Sequence, residues 1–347
     1  MFSKNLKYYR LKKGFSKKQL AEKLNITAMA VTNYEEGKRY PSSEIISKIS
    51  ACLDVKVTDL LAVRNEKIKY VHEEFRKNSK LSIHDQNLIK EGIEEYFDRF
   101  MTTAEILGGD VIPVAPKLHS LELSGDNELN ALALRKHLGL AKCGPIEDII
   151  GILENKGILV YEFDVNNNSF SGINGLVDDH PYIAYNSNMT AERIRSTIGH
   201  ELAHLMFRWP DEIKDTDIEK KATAISGAFF FSDVDAKREL GYKRTSVSGD
   251  MVMVAKEYGI SMFLLVKRAN ICHIISDNVA RDFYIKFSQM GWRSNEPSRI
   301  NRECPLLFQQ LVLRAIGEEE INIQRGAELL KRSYIDVTDL YRISSEA

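Results

Sequence analysis

Residues 190–207 read TAERIRSTIGHELAHLMF, and the fold of the surrounding chain turns on this stretch. Thr190 is a helix N-cap type, able to accept a hydrogen bond from an amide of the first turn. Glu192 stands two positions on, where its charge suits the helix dipole. Arg193 holds the third position, so the reciprocal capping box is absent. Ile194, Ile198, Leu202, Leu205 and Met206 recur at helical spacing and form an apolar face. Such a helix is expected to be largely buried, and polar groups beside its apolar face need a reason. His200-Glu201-Leu202-Ala203-His204 supplies one. Histidines four apart stack one above the other, so both rings can reach a single tetrahedral zinc, one per chain. Glu201 between them is placed to take a proton from water. The competing interpretation is two ordinary helix histidines with a surface glutamate.

Zinc needs a third protein ligand. DTDIEKKATAISGAFFF (215–231) predicts a second helix, with Glu219, Ala222, Ala224, Ile225 and Ala228 along it. Its small residues allow close approach to the first helix. Glu219 is preferred because it starts the near face. Asp215 and Asp217 compete on spacing alone, although their first-turn position suits dipole stabilisation. Upstream, ELNALALRKHLGL (128–140) and IEDIIGILENKG (146–157) predict helices ending at Gly139 and Gly157. ILVYEF (158–163), SGINGLV (171–177) and YIAYN (182–186) are strand candidates, which predicts a small sheet with helices against it. YIAYN could pair with an extended substrate, which makes Tyr185 and Asn186 candidate lining residues. As strand neighbours they face opposite sides, so one side chain is expected in a cleft.

The first seventy residues are organised differently. They contain 15 Lys and Arg against 7 Asp and Glu, whereas the whole chain carries a net charge of -1. A basic first domain attracts a phosphate backbone. Ser16 is positioned to cap KKQLAEKL, and Asn25-Ile26-Thr27 makes a tight connection to AMAVTNYEEG, which stops at Gly37. Pro41 and Ser42-Ser43 open another helix with Ile45, Ile46 and Ile49 inside. The second of two helices joined by so short a turn is the one that enters a major groove.

The run Ser16…Gln19-Leu20-Ala21…Leu24…Thr27…Val31-Thr32-Asn33-Tyr34-Glu35…Gly37-Lys38…Pro41 resembles the lambda-repressor and Cro-like (XRE family) helix-turn-helix domain over about residues 5–62. That resemblance implies double-stranded DNA as partner. It places Gln19, Ala28, Met29, Thr32 and Asn33 at or near base edges, and Lys17, Lys38 and Arg39 on phosphates. Ala28-Met29 departs from the polar residues common at this point and offers no bidentate hydrogen bonds.

HELAHLMF, followed by Glu219-Lys220-Lys221-Ala222-Thr223-Ala224-Ile225-Ser226-Gly227, resembles the ImmA/IrrE family of metallopeptidase-like regulators. YIAYN, KEYGISMFLLVKRANICHIISD (256–277), MGWRSNEP (290–297) and LVLRAIGEEEINIQRGAELL (311–330) extend the likeness over roughly residues 128–340. The resemblance implies a His-His-Glu site completed by the glutamate opening the second helix. It also implies a peptidase that cleaves or inactivates a repressor in phage, mobile-element or stress control. Phe231-Ser232-Asp233 replaces the usual apolar-Pro ending of the second helix, and His273 stands where a small residue is common.

The expected fold class is α+β and mostly helical. A helix-turn-helix domain occupies 1–63, a helical connector 64–127, a zincin-like domain with a small sheet 128–240, and a helical subdomain 241–347. In the connector, LIKEGIEEYFDRFM (88–101) reads as a helix and HEEFRKNSK (72–80) as a charged run. With 44% hydrophobic and 28% charged residues the composition is that of ordinary globular chains, and no apolar run is long enough to span a membrane. Four scattered cysteines without a CxxC pair read as reduced thiols of a cytoplasmic protein. The expected activity is a zinc endopeptidase acting conditionally on a regulatory protein, and a homodimer is compatible. The rival is a transcription regulator whose zinc domain is a sensor or structural module.

Overall fold

The computed structural model describes residues 2–65, 67–72, 81–210, 212–292, 295–297 and 299–342. The charged run after His72 and part of MGWRSNEP lie outside these. The described fold is mostly helical, with the small sheet in the middle of the chain. Contacts divide the chain into two compact units: Met1–Val111 with Phe308–Ala347, and Ile112–Leu307. Sequence reading had separated four stretches, but nearness along the chain and nearness in space differ here.

The first unit begins with α1 (Phe2–Lys12), α2 (Lys17–Leu24), α3 (Ala28–Glu35), α4 (Ser43–Leu53) and α5 (Val57–Leu61). Leu6, Leu20, Val31, Ile49 and Leu60 meet in their common core. Ser16 caps α2 in a full capping box, Thr27 caps α3 and Ser42 caps α4. Asn25 ends α2 in the left-handed region at φ 55°, which makes the two-helix turn short. Sequence patterning alone did not reveal α1, because its inner face includes polar residues. Asn5 Nδ2 donates to the carbonyls of Leu60 (3.1 Å) and Ala62 (2.8 Å), and Arg10 forms a buried two-bond pair with Glu35. After β1 (Tyr70–His72), α6 (Ile83–Ile106) runs for 24 residues, well beyond the expected segment, from its cap at Ser82.

The second unit contains β2 (Leu121–Glu122), α7 (Asn127–His137), α8 (Ile149–Glu154), β3 (Leu159–Phe163), β4 (Gly172–Val177), β5 (His180–Asn186) and α9 (Ala191–Met206). Next come β6 (Phe207–Arg208), α10 (Asp215–Phe230), α11 (Asp233–Leu240), α12 (Gly249–Glu257), α13 (Met262–Ile271) and α14 (Asp277–Gln289). β5 pairs with β4 antiparallel, Gly172 opposite Tyr185, and with β3 parallel, Leu159 opposite Tyr182. β2 and β6 form a separate parallel pair. One core joins Ile183 and Tyr185 of β5, Ile194, Ile198 and Leu202 of α9, and Ala222, Ile225 and Phe229 of α10. Burying each large side chain of this set contributes about 1.5–3 kcal/mol.

α9 and α10 approach closely at Gly199. A Cβ added there would lie 2.6 Å from Ser226 Oγ and 2.7 Å from a ring carbon of Phe230. Ser226 Oγ donates instead to the Ser196 carbonyl at 2.9 Å, tying the two helices across the gap. The far end of α10 is held by arginines: Arg135 donates to the Phe229 carbonyl at 2.8 Å and Arg268 to that of Phe231 at 2.7 Å. Ser232 then caps α11, so the unusual Phe231-Ser232-Asp233 segment is a helix-to-helix junction. At the end of α8, the Glu154 carboxylate accepts from the amides of Leu306 (2.9 Å) and Leu307 (3.1 Å). Burial pushes its carboxyl up to about 7, although both amides pull the other way.

The chain closes with α15 (Leu307–Gly317), α16 (Ile323–Leu330) and α17 (Tyr334–Tyr341), which complete the first unit against α6. Phe308 packs 5.3 Å from Tyr96 and 5.4 Å from Phe100, centroid to centroid. Glu95 holds Arg99 through two bonds of 2.9 and 3.1 Å, and Arg99 in turn donates to the Leu329 carbonyl. Lys331 Nζ lies 2.7 Å from Glu95 and 3.2 Å from the Tyr9 hydroxyl, so the tail reaches α1 as well.

Candidate metal centre and nucleic-acid interface

α9 presents His200 and His204 on one face, and α10 brings Glu219 to them. His200 Nε2 and His204 Nε2 are 3.2 Å apart. Glu219 Oε2 lies 3.1 Å from the first and its Oε1 3.3 Å from the second. Zinc bonded tetrahedrally at about 2.0–2.1 Å requires its ligand atoms to be roughly 3.4 Å apart. The two imidazole nitrogens, and each of them with its nearest Glu219 oxygen, therefore already lie near that spacing. Among the described residues, His200, His204 and Glu219 form a cluster that could hold a metal ion. Asp217 pairs with Lys220 at 3.0 Å instead.

Burial pushes the Glu219 carboxyl up, but hydrogen bonds and charge from His200 and His204 pull it down to about 2. His204 is buried, whereas His200 and Glu219 are partly exposed, which leaves an accessible side. Thr223, one turn after Glu219, sets its hydroxyl 3.2 Å from His200 Nδ1. A partner on Nδ1 orients the ring so that Nε2 faces the other donors. The Trp209 ring packs 5.5 Å from that of His204.

Glu201 is buried and points toward the sheet, where its Oε2 accepts from Asn174 Nδ2 at 2.9 Å. Asn174 and Thr223 carried no role in the sequence reading. Each lies in a segment recognised as strand or helix, and only the tertiary fold turns them toward the site.

Tyr185 and Asn186 lie in a different environment from the one expected. Tyr185 is fully buried in the core. Asn186 donates to the carbonyls of Asn167 (3.2 Å) and Phe170 (3.1 Å) and accepts from the Asn188 amide, which spends its side chain on a loop. β5 has β3 on one side and β4 on the other, so its backbone is committed to the ladder. The strand beside Glu201 is β4. His273 is exposed, at φ 57° just after α13, a left-handed position that accounts for small residues being common there.

Residues 6–60 match the family described as Helix-turn-helix, and residues 153–270 match the IrrE N-terminal-like domain. The chain joins a helix-turn-helix module to an IrrE-like one. Curated proteins similar to part of the chain include three named as HTH-type regulators. The uncharacterized HTH-type transcriptional regulator YqaE of Bacillus subtilis is 44% identical over 69 residues, 20% of this chain and 60% of its own length. The HTH-type transcriptional regulator SinR of Bacillus subtilis is 36% identical over 67 residues, 19% and 60% respectively. The HTH-type transcriptional activator BcrR of Enterococcus faecalis is 34% identical over 79 residues, 23% and 38%. The chain thus spans less than two thirds of each of these relatives. The IrrE-like segment contains His200, Glu201, His204 and Glu219 together.

In the helix-turn-helix domain, Gln19, Ala28, Met29, Lys38 and Arg39 are exposed, and Lys17, Thr32 and Asn33 are half-buried. Several of these groups already have partners. Gln19 Oε1 accepts from the Ser16 amide, the Thr32 hydroxyl donates to the Ala28 carbonyl, and Lys38 pairs with Glu36 at 2.6 Å. Lys17 lies 3.6 Å from Glu35. Among the described residues, no helix is long and apolar enough to cross a membrane.

Proposed function

We propose that the chain is a DNA-bound regulator with a zinc-dependent endopeptidase site. His200, His204 and Glu219 are the zinc ligands, and Glu201 is the general acid–base. The carrying observation is the convergence of His200, His204 and Glu219, whose donor atoms pair at 3.1–3.3 Å, together with the buried Glu201 carboxylate, in the same helix as both histidines and bonded to Asn174. Two imidazole nitrogens and one carboxylate form a donor set suited to zinc with one position left open. Zinc there would supply Lewis acidity, polarising a peptide carbonyl and making water more acidic. The chain's own groups do the rest. Glu201 takes the proton from the attacking water and hands it to the departing amine. Thr223 orients His200, and Glu219 keeps its charge at the ligand position.

On the DNA side, α3 is the recognition helix. Gln19, Ala28, Met29, Thr32 and Asn33 face base edges, while Lys17, Lys38 and Arg39 take phosphates. The relatives named as transcriptional regulators support a regulatory role, and the substrate we propose is a repressor or other regulatory protein. The test compares the proteomes of cells carrying wild type and Glu201→Gln after DNA damage. A partner cleaved only with wild type is expected, with cleavage by Glu201→Gln reduced about 100-fold to 10,000-fold. Equal cleavage by both refutes the mechanism. An intact proteome with normal transcriptional switching by both makes the zinc domain a sensor.

A further inference from the structure

The strand β4 meets α9 through two residues on one of its faces, Gly172 and Asn174, which are two apart in an extended chain. They oppose two residues one turn apart on α9, Thr197 and Glu201. A Cβ on Gly172 would lie 2.7 Å from Thr197 Cγ2 and 3.3 Å from Glu201 Cγ, so the missing side chain lets the strand settle onto the helix. At that separation the Asn174 amide reaches Glu201 Oε2 at 2.9 Å. Both side chains are buried, 6% and 7% exposed, so the bond is sheltered from competing water. The geometry points to Asn174 as a positioning residue, which fixes one carboxylate oxygen of Glu201 and leaves the other aimed at the reacting water.

This inference rests on the proposed peptidase chemistry for its consequence, but its geometry stands independently. A buried asparagine could also serve only to satisfy its own polar atoms and stabilise the sheet. The two roles separate experimentally. Asn174→Asp is isosteric and exchanges a donor for an acceptor that repels Glu201. Asn174→Ala removes the bond, and Asn174→Ser keeps a donor on a shorter side chain.

Crystal structures of the three variants without metal read the first consequence. In Asn174→Asp and Asn174→Ala the Glu201 carboxylate is expected to turn away or occupy several rotamers, with His200, His204 and Glu219 unmoved. A carboxylate in its original position in all variants overturns the proposal. Zinc-loaded proteins acting on a library of random ten-residue peptides, followed by mass spectrometry, read the second. kcat is expected to fall about 10-fold to 100-fold in Asn174→Asp and Asn174→Ala at unchanged KM and zinc content, with part of the loss recovered in Asn174→Ser. Rates within twofold of wild type, or a loss that merely follows lowered thermal stability, overturn it. Failure of wild type to cleave any peptide in the library counts against the peptidase activity, while the crystal structures still decide the role of Asn174.

Discussion

Replacing Gly199 by alanine tests whether helix separation sets the metal site. Glycine inside a helix costs about 1 kcal/mol relative to alanine, so propensity alone predicts a more stable protein. The packing argues the opposite. The new methyl would lie 2.6 Å from Ser226 Oγ and 2.7 Å from Phe230, well inside ordinary contact. Neither neighbour yields easily: Ser226 is bonded to the Ser196 carbonyl, and the buried Phe230 ring has the Arg195 guanidinium 5.1 Å from its centre. Relieving the overlap needs α9 and α10 to part by roughly 0.7 Å or more, and overpacking of this kind costs about 1–3 kcal/mol. The net expectation is a loss of up to about 2 kcal/mol. Metal binding should suffer beyond that, because Glu219 rides on one helix and both histidines on the other. Ligand distances tolerate only about 0.2 Å. Zinc affinity is therefore expected to fall at least about tenfold, equivalent to roughly 1.4 kcal/mol. Denaturant unfolding with chelator present measures the first quantity, and competition with a fluorescent zinc chelator the second. A Gly199→Ala protein more stable than wild type, with unaltered zinc affinity, refutes the reasoning.

Purified wild type should retain close to one zinc per chain after dialysis and His204→Ala should lose most of it; equal metal content in elemental analysis contradicts the ligand assignment. Changing Lys38 and Arg39 together to alanine should weaken binding to all DNA sequences and flatten its salt dependence, as measured by titrations on operator and scrambled duplexes. Glu154 has a folded-state pKa raised to about 7 from 4.5, so the folded protein holds the extra proton between these values. Its stabilising contribution is present below about pH 4.5 and is lost as pH rises through 7. Compared with Glu154→Gln, wild type should therefore lose stability between pH 5 and 7.5, and parallel pH profiles in denaturant unfolding would remove this account.

Much of the candidate metal centre was legible because helical spacing is rigid. His200 and His204 had to share a face, and Glu219 was preferred for starting the near face of the second helix, a choice over Asp215 and Asp217 that the family resemblance sharpened. The caps at Ser16, Thr27 and Thr190 were legible for a similar reason, since each acts within one turn of its own chain. What stayed hidden depends on partners distant in sequence. Helix α1 buries Asn5 and Arg10, which look like surface residues until Leu60, Ala62 and Glu35 satisfy them. Tyr185 and Asn186 looked available to a substrate because the strand pattern says nothing about which strand is central. Asn174 drew no notice because its meaning lies in Glu201, 27 positions away.

The order of synthesis gives the divided first unit a consequence of its own. Its opening segment ends at Val111 and its closing segment starts at Phe308, with the 112–307 unit made between them. At about 5–20 residues per second, the ribosome needs roughly 10–40 s to cross that interval. Throughout this period Tyr96, Phe100 and the Glu95–Arg99 pair of α6 wait for Phe308, Leu329 and Lys331, which do not yet exist. The inserted unit is complete in sequence before the tail emerges, so its folding can finish first. The nascent chain thus has helices α2 and α3 before His200, His204 and Glu219, yet the scaffold behind those helices is completed only after all of these.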